Sequence, residues 1–291
     1  MILHKVYTSL HDHYRLHSML RTKPFLKWAG NKFRCIDTLL AALPKANRLV
    51  EPFTGSGAVF MNAHYESYLL AERNKDLITL FQHVQQEGLS FIEYCAQFFS
   101  NNNNCSKNYY QLREEFNFCQ EPRKRAALFL YLNRHGYNGL CRYNQKGFYN
   151  VPFGLYKKPY FPHTEMLNFH KKSQRVVFIQ SDFRETFTLA KPGDIIYCDP
   201  PYVPLSASAY FSSYTAKVFS ENDQIELAQL AKHSASKGIP VLISNHDTPF
   251  TRYHYQPGEI ISFPVNRYIS CHALKRHPAQ ELIAIFHAHS F

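Results

Sequence analysis

Five short and almost uninterrupted apolar runs limit most strongly what this 291-residue chain can fold into. They cover residues 48–50, 68–71, 176–179, 195–198 and 241–244. A strand covered on both faces is apolar at successive positions, whereas a half-exposed strand alternates. Between the last two runs, Ser220 and Asp223 resemble a helix cap ahead of an apolar face. Strands that alternate with helices predict a mostly parallel α/β sheet, to which residues 259–265 and 281–286 would add an edge hairpin.

The connection between the second and third runs is too long for a normal loop and one helix. Roughly one hundred residues separate the two runs, whereas loops in compact domains contain only a few residues. The sequence therefore predicts an inserted, mainly helical domain at residues 75–162. The sheet domain would then consist of residues 23–74 and 163–291, with residues 1–22 as an N-terminal extension.

The net charge of +11 is concentrated in and beside this insert. Residues 107–175 contain 13 Lys and Arg against 4 Glu and no Asp, a net charge of +9, together with 15 Phe and Tyr. Basic side chains bind phosphates and aromatic rings stack on bases, although about half of these rings are expected to pack in the insert's own core. The composition favours a polyanionic partner, either nucleic acid or an acidic membrane surface.

Cysteine spacing and hydropathy limit the compartment and the possible metal sites. The seven cysteines are scattered and form no C-x-x-C pair, which argues against a disulfide framework or a zinc site and predicts a protein without a metal. The chain has no apolar run of about twenty residues that would span a membrane, and residues 1–20 lack an apolar signal-peptide core. We therefore expect a cytoplasmic protein.

Closely spaced glycines follow the first apolar run, in the segment from Glu51 to Gly57. Glycines at the carboxyl end of a strand let the backbone approach a ligand. Glu72 ends the next run, and an acidic side chain there can accept hydrogen bonds from ribose hydroxyls. Each feature alone has a structural alternative, a tight turn or a surface carboxylate. Together they favour a cofactor that contains a nucleoside.

The fourth run leads directly into Asp199-Pro200-Pro201-Tyr202. Two prolines restrict the backbone and remove two amide donors, which leaves carbonyl oxygens free as acceptors just beyond the strand. Asp199 and the Pro200 carbonyl can accept the hydrogens of an amino group on a planar base, while Tyr202 stacks on its ring. Accepting both hydrogens takes the nitrogen lone pair out of conjugation and directs it at an electrophile. A proline turn that only caps the strand is the structural alternative.

The order of these motifs resembles that of the Dam-type DNA adenine methyltransferases. Residues 24–30 and 243–247 are also similar to segments of that family. Residues 132–144 and 150–154 together look like the family's DNA-recognition hairpin. The resemblance implies a Rossmann-like, mostly parallel methyltransferase sheet with an inserted, mainly helical DNA-recognition domain that carries a β-hairpin. It implies methyl transfer from S-adenosylmethionine to the exocyclic amine of adenine in duplex DNA, within GATC, by a monomer that uses no metal and no covalent enzyme intermediate.

The resemblance also assigns roles to individual residues. The target adenine, flipped out of the duplex, would be held by the catalytic residues Asp199, Pro200, Pro201 and Tyr202. The cofactor would be surrounded by Trp28, Lys32, Phe53, Gly55, Gly57, Glu72, Asp182 and Asp199. The DNA would be bound by Lys27, Arg113, Arg134, Tyr137, Asn138, Leu140, Arg142, Asn144, Pro152, Tyr156 and Lys157.

The DNA-binding residues divide by the part of the duplex that each would contact. Tyr137 and Asn138 would fill the vacated stack, Arg142 would contact a guanine edge, and Leu140 with Pro152 would meet a thymine methyl. The phosphates would be held by Arg113, Arg134, Asn144, Tyr156 and Lys157. A protein with this substrate is expected at the nucleoid of a bacterium, encoded by the host or by a phage.

The chain departs from the family's pattern at four places. Asn31 stands where a second glycine is usual, Glu72 replaces the commoner Asp, and Leu155 occupies the place of a phosphate-binding Arg. Residues 269–275 replace a loop rich in Ser, Asn and Gly near the active site. The first two departures would perturb cofactor affinity, the third would weaken DNA binding, and the last would alter turnover.

Two alternatives to a DNA methyltransferase stay open on the sequence. An RNA adenine methyltransferase would share the Asp199 motif, but the Arg142 hairpin favours duplex DNA, whose major groove can be read. A catalytically impaired DNA-binding homologue would keep the basic insert without binding S-adenosylmethionine. A small-molecule methyltransferase leaves the basic insert without a purpose.

Overall fold

Seven strands form one sheet in the computed structural model, which describes residues 21–203, 219–265 and 279–288. The order across the sheet is β3-β2-β1-β4-β5-β7-β6. The strands are Arg48–Glu51 (β1), Ser67–Glu72 (β2), Val176–Gln180 (β3), Asp194–Cys198 (β4), Val241–His246 (β5), Glu259–Val265 (β6) and Ala279–Phe286 (β7). The first five are parallel, and β7 pairs antiparallel with both β5 and β6. The predicted mostly parallel sheet and its edge hairpin are confirmed.

The central strands are buried on both faces, as their continuous apolar sequence predicts. Leu49 and Val50 of β1 and Ile195 and Ile196 of β4 have no exposed surface. Alternate residues of these strands contribute to two different hydrophobic cores, one on each side of the sheet. Two-sided burial is the physical reason that these strands lack the polar alternation of a surface sheet.

Ten α-helices surround the sheet within the described ranges. They are Ile36–Ala42 (α1), Ala58–Asn62 (α2), Lys75–Glu87 (α3), Leu89–Ala96 (α4), Ser106–Phe118 (α5), Pro122–His135 (α6), His163–Ser173 (α7), Phe183–Thr188 (α8), Glu221–Ser236 (α9) and Pro249–His254 (α10). Ser220 and Asp223 form the predicted capping box of α9, and Pro122 occupies the first turn of α6. No helix in the described ranges is long and apolar enough to cross a bilayer.

The long segment between β2 and β3 is helical and packs directly on the sheet. Helix α3 contacts β2 and β3 on one side and α6 on the other. Its Phe81 ring lies 4.8 Å from Phe169 and 5.5 Å from Phe178 of β3 between ring centroids. One hydrophobic core therefore continues from the sheet into the helices of residues 75–162, and the boundary of a separate inserted domain stays a prediction.

Residues 135–154 form the antiparallel arm that the sequence predicts as a hairpin. Isolated bridges join Tyr143 to Tyr149 and Gly136 to Phe153. The Asn144 amide donates to the Phe148 carbonyl over 2.8 Å, and the Asn150 amide donates to the Arg142 carbonyl over 3.0 Å. The arm is held by these separate bridges and by packing on α5 and α6, and not by a long regular ladder.

The strand order places two of the sequence motifs side by side. From β1 the chain moves outward to β2 and β3, and then returns to lay β4 on the other side of β1. Such a switch point opens a crevice at the carboxyl ends of the two central strands, where open α/β sheets bind ligands. Glu51 ends β1 and Asp199 follows β4, so both motifs face this crevice.

Two segments that drew attention in the sequence fall outside the described ranges. They are residues 1–20 of the N-terminal extension and the altered loop at residues 269–275. Of the extension, Arg21 and Thr22 are described, and the Thr22 backbone exchanges two hydrogen bonds with the Asn62 side chain.

A partly buried charge cluster ties the arm to the helices beneath it. Arg125 of α6 makes two hydrogen bonds to the carboxylate of Asp76 in α3, at 2.6 and 3.1 Å. The Tyr143 hydroxyl of the arm donates to the same carboxylate over 2.6 Å. Removing one partner from such a pair leaves an uncompensated charge in a poorly hydrated place, which costs several times more than losing an exposed ion pair.

We predict that Arg125→Met lowers the free energy of unfolding by about 3 kcal/mol. Lys124→Ala is the matched control, because Lys124 lies next to Arg125 in α6 and forms an exposed ion pair with Glu115. The control is expected to cost less than about 1 kcal/mol. Urea denaturation at constant slope measures both variants. Equal losses in the two variants would show that the Asp76 cluster does not stabilise the fold.

Candidate active site

The Asp199 carboxylate is paired with a lysine that approaches from the N-terminal segment. Lys32 Nζ lies 2.7 Å from Asp199 Oδ1 and donates to the Gly30 carbonyl over 2.7 Å. Lys32 is buried and begins a 3₁₀ turn, Lys32–Cys35, which the Asn31 side chain caps by accepting from the Phe33 amide. Asn31, the departure from the family's glycine, therefore has a local role as a helix cap.

Burial and neighbouring charges act in opposite directions on Asp199. The pKa of the carboxyl is raised above its usual range: removal from water is the largest cause, the Lys32 ammonium opposes it, and the Glu281 carboxylate adds to it. The Lys32 contact favours the charged form, in which both carboxylate oxygens are acceptors. The site can therefore present a hydrogen-bond acceptor to a donor that replaces the lysine.

The Tyr202 ring is held in one orientation by two residues from neighbouring strands. Its hydroxyl donates to Glu281 Oε2 over 3.0 Å, and the His246 ring meets it edge-on at 4.7 Å between centroids. Glu281 of β7 and His246 of β5 are register partners in the sheet. The Lys32 ammonium lies 4.5 Å from the ring centroid, so a charged or planar group can approach this ring face.

The glycine loop after β1 is shaped for close approach. Gly55 and Gly57 have positive φ angles of 51° and 72°. A Cβ at Gly55 would lie 3.2 Å from the Trp28 indole, so a side chain there would push this ring away. The Thr54 amide and hydroxyl both bond to the Ala71 carbonyl of β2, at 3.1 and 3.0 Å. Position 55 therefore requires glycine for two reasons, its positive φ angle and the lack of space beside Trp28.

Glu72 is oriented toward the glycine loop by backbone donors. Its Oε2 accepts from the Gly55 amide over 3.2 Å and its Oε1 accepts from the Asn74 amide over 3.3 Å. Burial raises the pKa of this carboxyl, whereas the backbone hydrogen bonds lower it. The carboxylate oxygens are thereby turned toward the glycine loop, where they are acceptors for hydrogen-bond donors.

Phe53 and Asp182 occupy different surroundings although both are predicted to contact the cofactor. The Phe53 ring stacks on Phe183 at 5.5 Å and meets the Phe219 ring edge-on at 5.6 Å, which forms an aromatic wall beside the loop. Asp182 caps α8 by accepting from the Arg184 amide and is paired with the Arg184 guanidinium at 3.1 Å. Asp182 also pairs with Arg73, the residue after Glu72, at 3.7 Å, so it both caps α8 and contacts the end of β2.

Glu51 begins the glycine-rich segment and is a further candidate site residue, although the sequence predicted no role for its side chain. Its Oε1 is buried and has no hydrogen-bond partner within the described residues. Burial, with the charge of Asp199 as the smaller cause, raises its pKa to about 8. An acidic residue at the end of a central strand, next to the glycine loop, was the signal that could have identified it.

Glu281 and His246 were also missed as site residues, and the sequence carried no signal for them. Both were noted only as parts of apolar or family-like segments. Their approach to Tyr202 depends on the antiparallel register of β5 and β7, which pairs residues separated by a long stretch of chain.

Four predicted DNA-binding residues contact one another in the structure. Lys27 Nζ lies 3.7 Å from the centroid of the Tyr156 ring and donates to the Arg134 carbonyl over 3.3 Å. The Tyr156 hydroxyl accepts from the amide of Asn138, a residue with a positive φ of 51°. The Arg134 guanidinium donates to the Tyr160 carbonyl over 2.9 Å. The fold thus brings Lys27 of the N-terminal segment to the insert.

The tip of the arm carries Arg142 above a surface cavity of about 500 Å³. Arg142 Nε donates to Asn150 Oδ1 over 2.7 Å, and Nη2 donates to the Asn150 carbonyl over 3.1 Å. These bonds leave Nη1 and one hydrogen of Nη2 as a free fork, the geometry that can read two acceptors on one base edge. Asn144 Oδ1 accepts from the amides of Lys146 and Phe148 and so shapes the turn.

The remaining predicted DNA-binding residues are connected to this arm or lie on its surface. Arg113 donates to the Val151 carbonyl over 3.0 Å, next to the exposed Pro152. The Asn104 side chain donates to the Lys157 carbonyl over 3.0 Å. Tyr137, Leu140 and Lys157 have exposed side chains. Leu155 has a positive φ of 53° and is 83% exposed. Because leucine is uncharged, this exposed position offers no charge to a phosphate.

Comparison with known proteins agrees with this geometry. Residues 28–269 match the model of the D12 class N6 adenine-specific DNA methyltransferases. A DNA adenine methylase of Salmonella typhi is 46% identical over 268 residues, which are 92% of this chain and 96% of that protein. The corresponding proteins of Escherichia coli K12 and Serratia marcescens are 45% and 47% identical over 92% of this chain and 96% and 100% of their own lengths. The chain therefore belongs to the D12 class of N6 adenine-specific DNA methyltransferases.

Proposed function

We propose that the protein transfers a methyl group from S-adenosylmethionine to the exocyclic amine of adenine within GATC in duplex DNA. One observation carries the proposal: the Lys32 ammonium lies 2.7 Å from the Asp199 carboxylate and 4.5 Å from the centroid of the Tyr202 ring. The site thus already holds a nitrogen donor against the acceptor and the ring that an adenine amine would use. The D12 class to which the chain belongs is described as adenine-specific DNA methyltransferases, and the similar proteins are named DNA adenine methylases.

The residues around the glycine loop fit S-adenosylmethionine. This cofactor carries a sulfonium and an ammonium charge, and the unpartnered buried oxygen of Glu51 needs a donor or a cation. Glu72 would offer carboxylate oxygens beside the glycine loop to ribose hydroxyls, and Phe53 would offer a ring to the adenine moiety. When bound, the cofactor supplies an electrophilic methyl group. It would be held by Trp28, Lys32, Phe53, Gly55, Gly57, Glu51 and Glu72, with Asp182 at the margin of the site.

The chain's own groups would prepare the amine for attack. Asp199 and the Pro200 carbonyl would accept hydrogen bonds from its two N–H groups. This takes the nitrogen lone pair out of conjugation with the base and makes it available for attack. Tyr202, held by Glu281, stacks on the base after the base has left the duplex. The amine takes over the acceptor that Lys32 occupies in the free protein, so the lysine contact is exchanged and not kept.

Positioning and electrostatics suffice for this transfer, and no nucleophilic side chain is needed. Cys198 is the thiol beside Asp199 in the chain, and burial raises its pKa well above the usual value. A neutral buried thiol is a packing group and not a nucleophile.

The arm is proposed to read the sequence around the target base. The free fork of Arg142 suits the O6 and N7 acceptors of guanine, and exposed Leu140 and Pro152 suit a thymine methyl. Tyr137 and Asn138 lie where the arm meets Tyr156, and we assign them to the vacated stack. The phosphates are assigned to Arg113, Arg134, Asn144, Tyr156 and Lys157. We also infer a monomer that acts at the nucleoid in the cytoplasm.

We predict that Asp199→Asn lowers the rate constant of methyl transfer by about 100- to 1000-fold, because an amide is a weaker acceptor than a carboxylate. The assay measures labelled methyl groups on a duplex with one GATC, on a matched GTTC duplex and on a structured RNA. Asp37→Asn, a change of an exposed carboxylate in α1, is the control and should retain native activity. Label on GTTC or on RNA at the GATC rate would refute the substrate assignment. Full activity of Asp199→Asn would refute the mechanism.

We predict that Arg142→Ala and Lys157→Ala weaken DNA binding in different ways. Loss of the Arg142 fork should cost about 1–3 kcal/mol on GATC and little on a site whose guanines are replaced. Loss of Lys157 should weaken binding to both duplexes equally and reduce the slope of log affinity against log salt by about 1. Titrations of both duplexes at several salt concentrations measure this. An equal loss on both duplexes for Arg142→Ala would remove it from base recognition.

We predict that DNA affinity depends on pH through Lys27. Burial, with the charge of Arg134 as the smaller cause, lowers the pKa of Lys27 to about 8. Acceptors on the DNA favour the ammonium form and raise its pKa in the complex. The lysine's contribution is therefore complete below pH 8 and is lost progressively as the pH rises from 8 toward the higher pKa of the complex, by about tenfold in affinity between pH 7 and 9.

Fluorescence anisotropy of a labelled duplex at pH 7 and pH 9 measures this dependence. Lys27→Met should bind more weakly than the native protein at pH 7 and should show little change up to pH 9. The same pH slope in the native protein and in Lys27→Met would assign the dependence to another group.

A further inference from the structure

Three buried polar side chains lie behind residues 199–203, which we call the catalytic segment because of the proposed function. None of the three has been given a role in cofactor or DNA binding. They are Gln224 of α9, Asn245 of β5 and Tyr255 at the end of α10, and they are 3%, 0% and 0% exposed. Their surroundings belong to the apolar core beneath β4 and β5, which includes Cys198, Ile243 and Phe286. Apolar residues would fill this space at lower cost, so a polar cluster there calls for a reason.

Two side-chain amides of this cluster hold the backbone on either side of Tyr202. Gln224 Nε2 donates to the Pro201 carbonyl over 2.7 Å. Asn245 Oδ1 accepts from the Val203 amide over 3.0 Å and from the His246 amide over 2.9 Å. Tyr202 is therefore attached to α9 through the residue before it and to β5 through the residue after it.

The remaining bonds of the cluster fix the orientation of both amides. Asn245 Nδ2 donates to Gln224 Oε1 over 3.1 Å and to the Tyr255 hydroxyl over 2.8 Å, and this hydroxyl donates to Gln224 Oε1 over 3.3 Å. Rotating either amide by 180° would place a donor against a donor or an acceptor against an acceptor. Such a mismatch is costly in a site without water, so the cluster accepts one arrangement.

The catalytic segment needs this external support because of its own sequence. Pro200 and Pro201 have no amide hydrogen, so they cannot anchor the segment through backbone donation. The two backbone groups that flank Tyr202, the Pro201 carbonyl and the Val203 amide, are both bonded to this cluster. The peptide planes on each side of the ring are thereby set from the core.

We propose that Gln224, Asn245 and Tyr255 are positioning residues that hold the Pro200 carbonyl and the Tyr202 ring in the geometry for methyl transfer. This inference rests on the proposed function. It gives a role to Asn245, which lies in a family-like segment of β5 that neither cofactor nor DNA binding explains. A misplacement of about 1 Å in a reacting group costs about 100-fold in rate, so loss of the anchors should act on turnover and not on substrate binding.

The test replaces Gln224 with Glu, which has the same shape but an acceptor in place of the donor. Above its raised pKa the buried carboxylate repels the Pro201 carbonyl, whereas the protonated acid can donate to it again. Gln229→Glu is the matched control, because Gln229 is an exposed residue of the same helix. The native protein and both variants are assayed for methyl transfer to the GATC duplex between pH 6 and 8.5, with thermal unfolding measured at each pH.

We predict that kcat of Gln224→Glu falls by about 100-fold at pH 8.5, with KM for both substrates within about threefold of native. Lowering the pH to 6 should recover at least tenfold in kcat relative to the native protein, at temperatures where the variant is folded. Gln229→Glu should follow the native profile. A purely structural role would lower the unfolding temperature without a recovery of kcat in the folded protein.

Tyr255→Phe provides a second variant that removes only the hydroxyl from the cluster. It should lower kcat by about fivefold without changing either KM, since both amides lose one orienting bond. Native kcat in either folded variant at all pH values would overturn the inference and leave the proposed function intact. Absence of methyl transfer by the native protein would overturn the proposed function, and the positioning role with it.

Discussion

The pairing of β1 with β4 is the contact on which the rest of the site depends. The strands are far apart in sequence, and their parallel register places Arg48 opposite Asp194, with the guanidinium bonded to the carboxylate at 3.0 and 2.6 Å. Everything beyond the carboxyl ends follows from this register. Glu51 and the glycine loop leave β1 at the same edge where Asp199 leaves β4, which is the switch point of the strand order.

The charges in this crevice explain why it suits a cationic cofactor and an amine. Asp199 and Glu51 are close enough that the charge of Asp199 raises the pKa of Glu51, and Glu281 has the same effect on Asp199. Lys32 compensates Asp199 in the free protein, whereas Glu51 Oε1 lacks a partner among the described residues. A sulfonium cofactor and an amino donor would satisfy both carboxylates without an added metal.

The residues proposed for DNA recognition and those proposed for cofactor binding share a short stretch of backbone. The Asn133 side chain of α6 brackets Lys27, accepting from its amide over 3.0 Å and donating to its carbonyl over 2.7 Å. The next residue, Trp28, lies over Gly55, and Lys32 follows one turn later. Helix α6, which leads into the arm, is therefore attached by two hydrogen bonds to the segment that contains Trp28 and Lys32.

The sequence by itself determined the sheet strands, the long helical insertion, the glycine loop and the Asp199 motif, because local apolar continuity, loop length and proline chemistry act within a few residues. The family resemblance, which short local motifs carry, assigned Arg142 and Lys27 to DNA binding, and that assignment stays a prediction. Only the tertiary structure decided that Glu281 orients Tyr202, that Lys32 pairs with Asp199, and that Gln224 and Asn245 anchor the catalytic backbone. Those contacts join residues from different strands and helices, and they arise from strand register and helix packing, which no single stretch of sequence specifies.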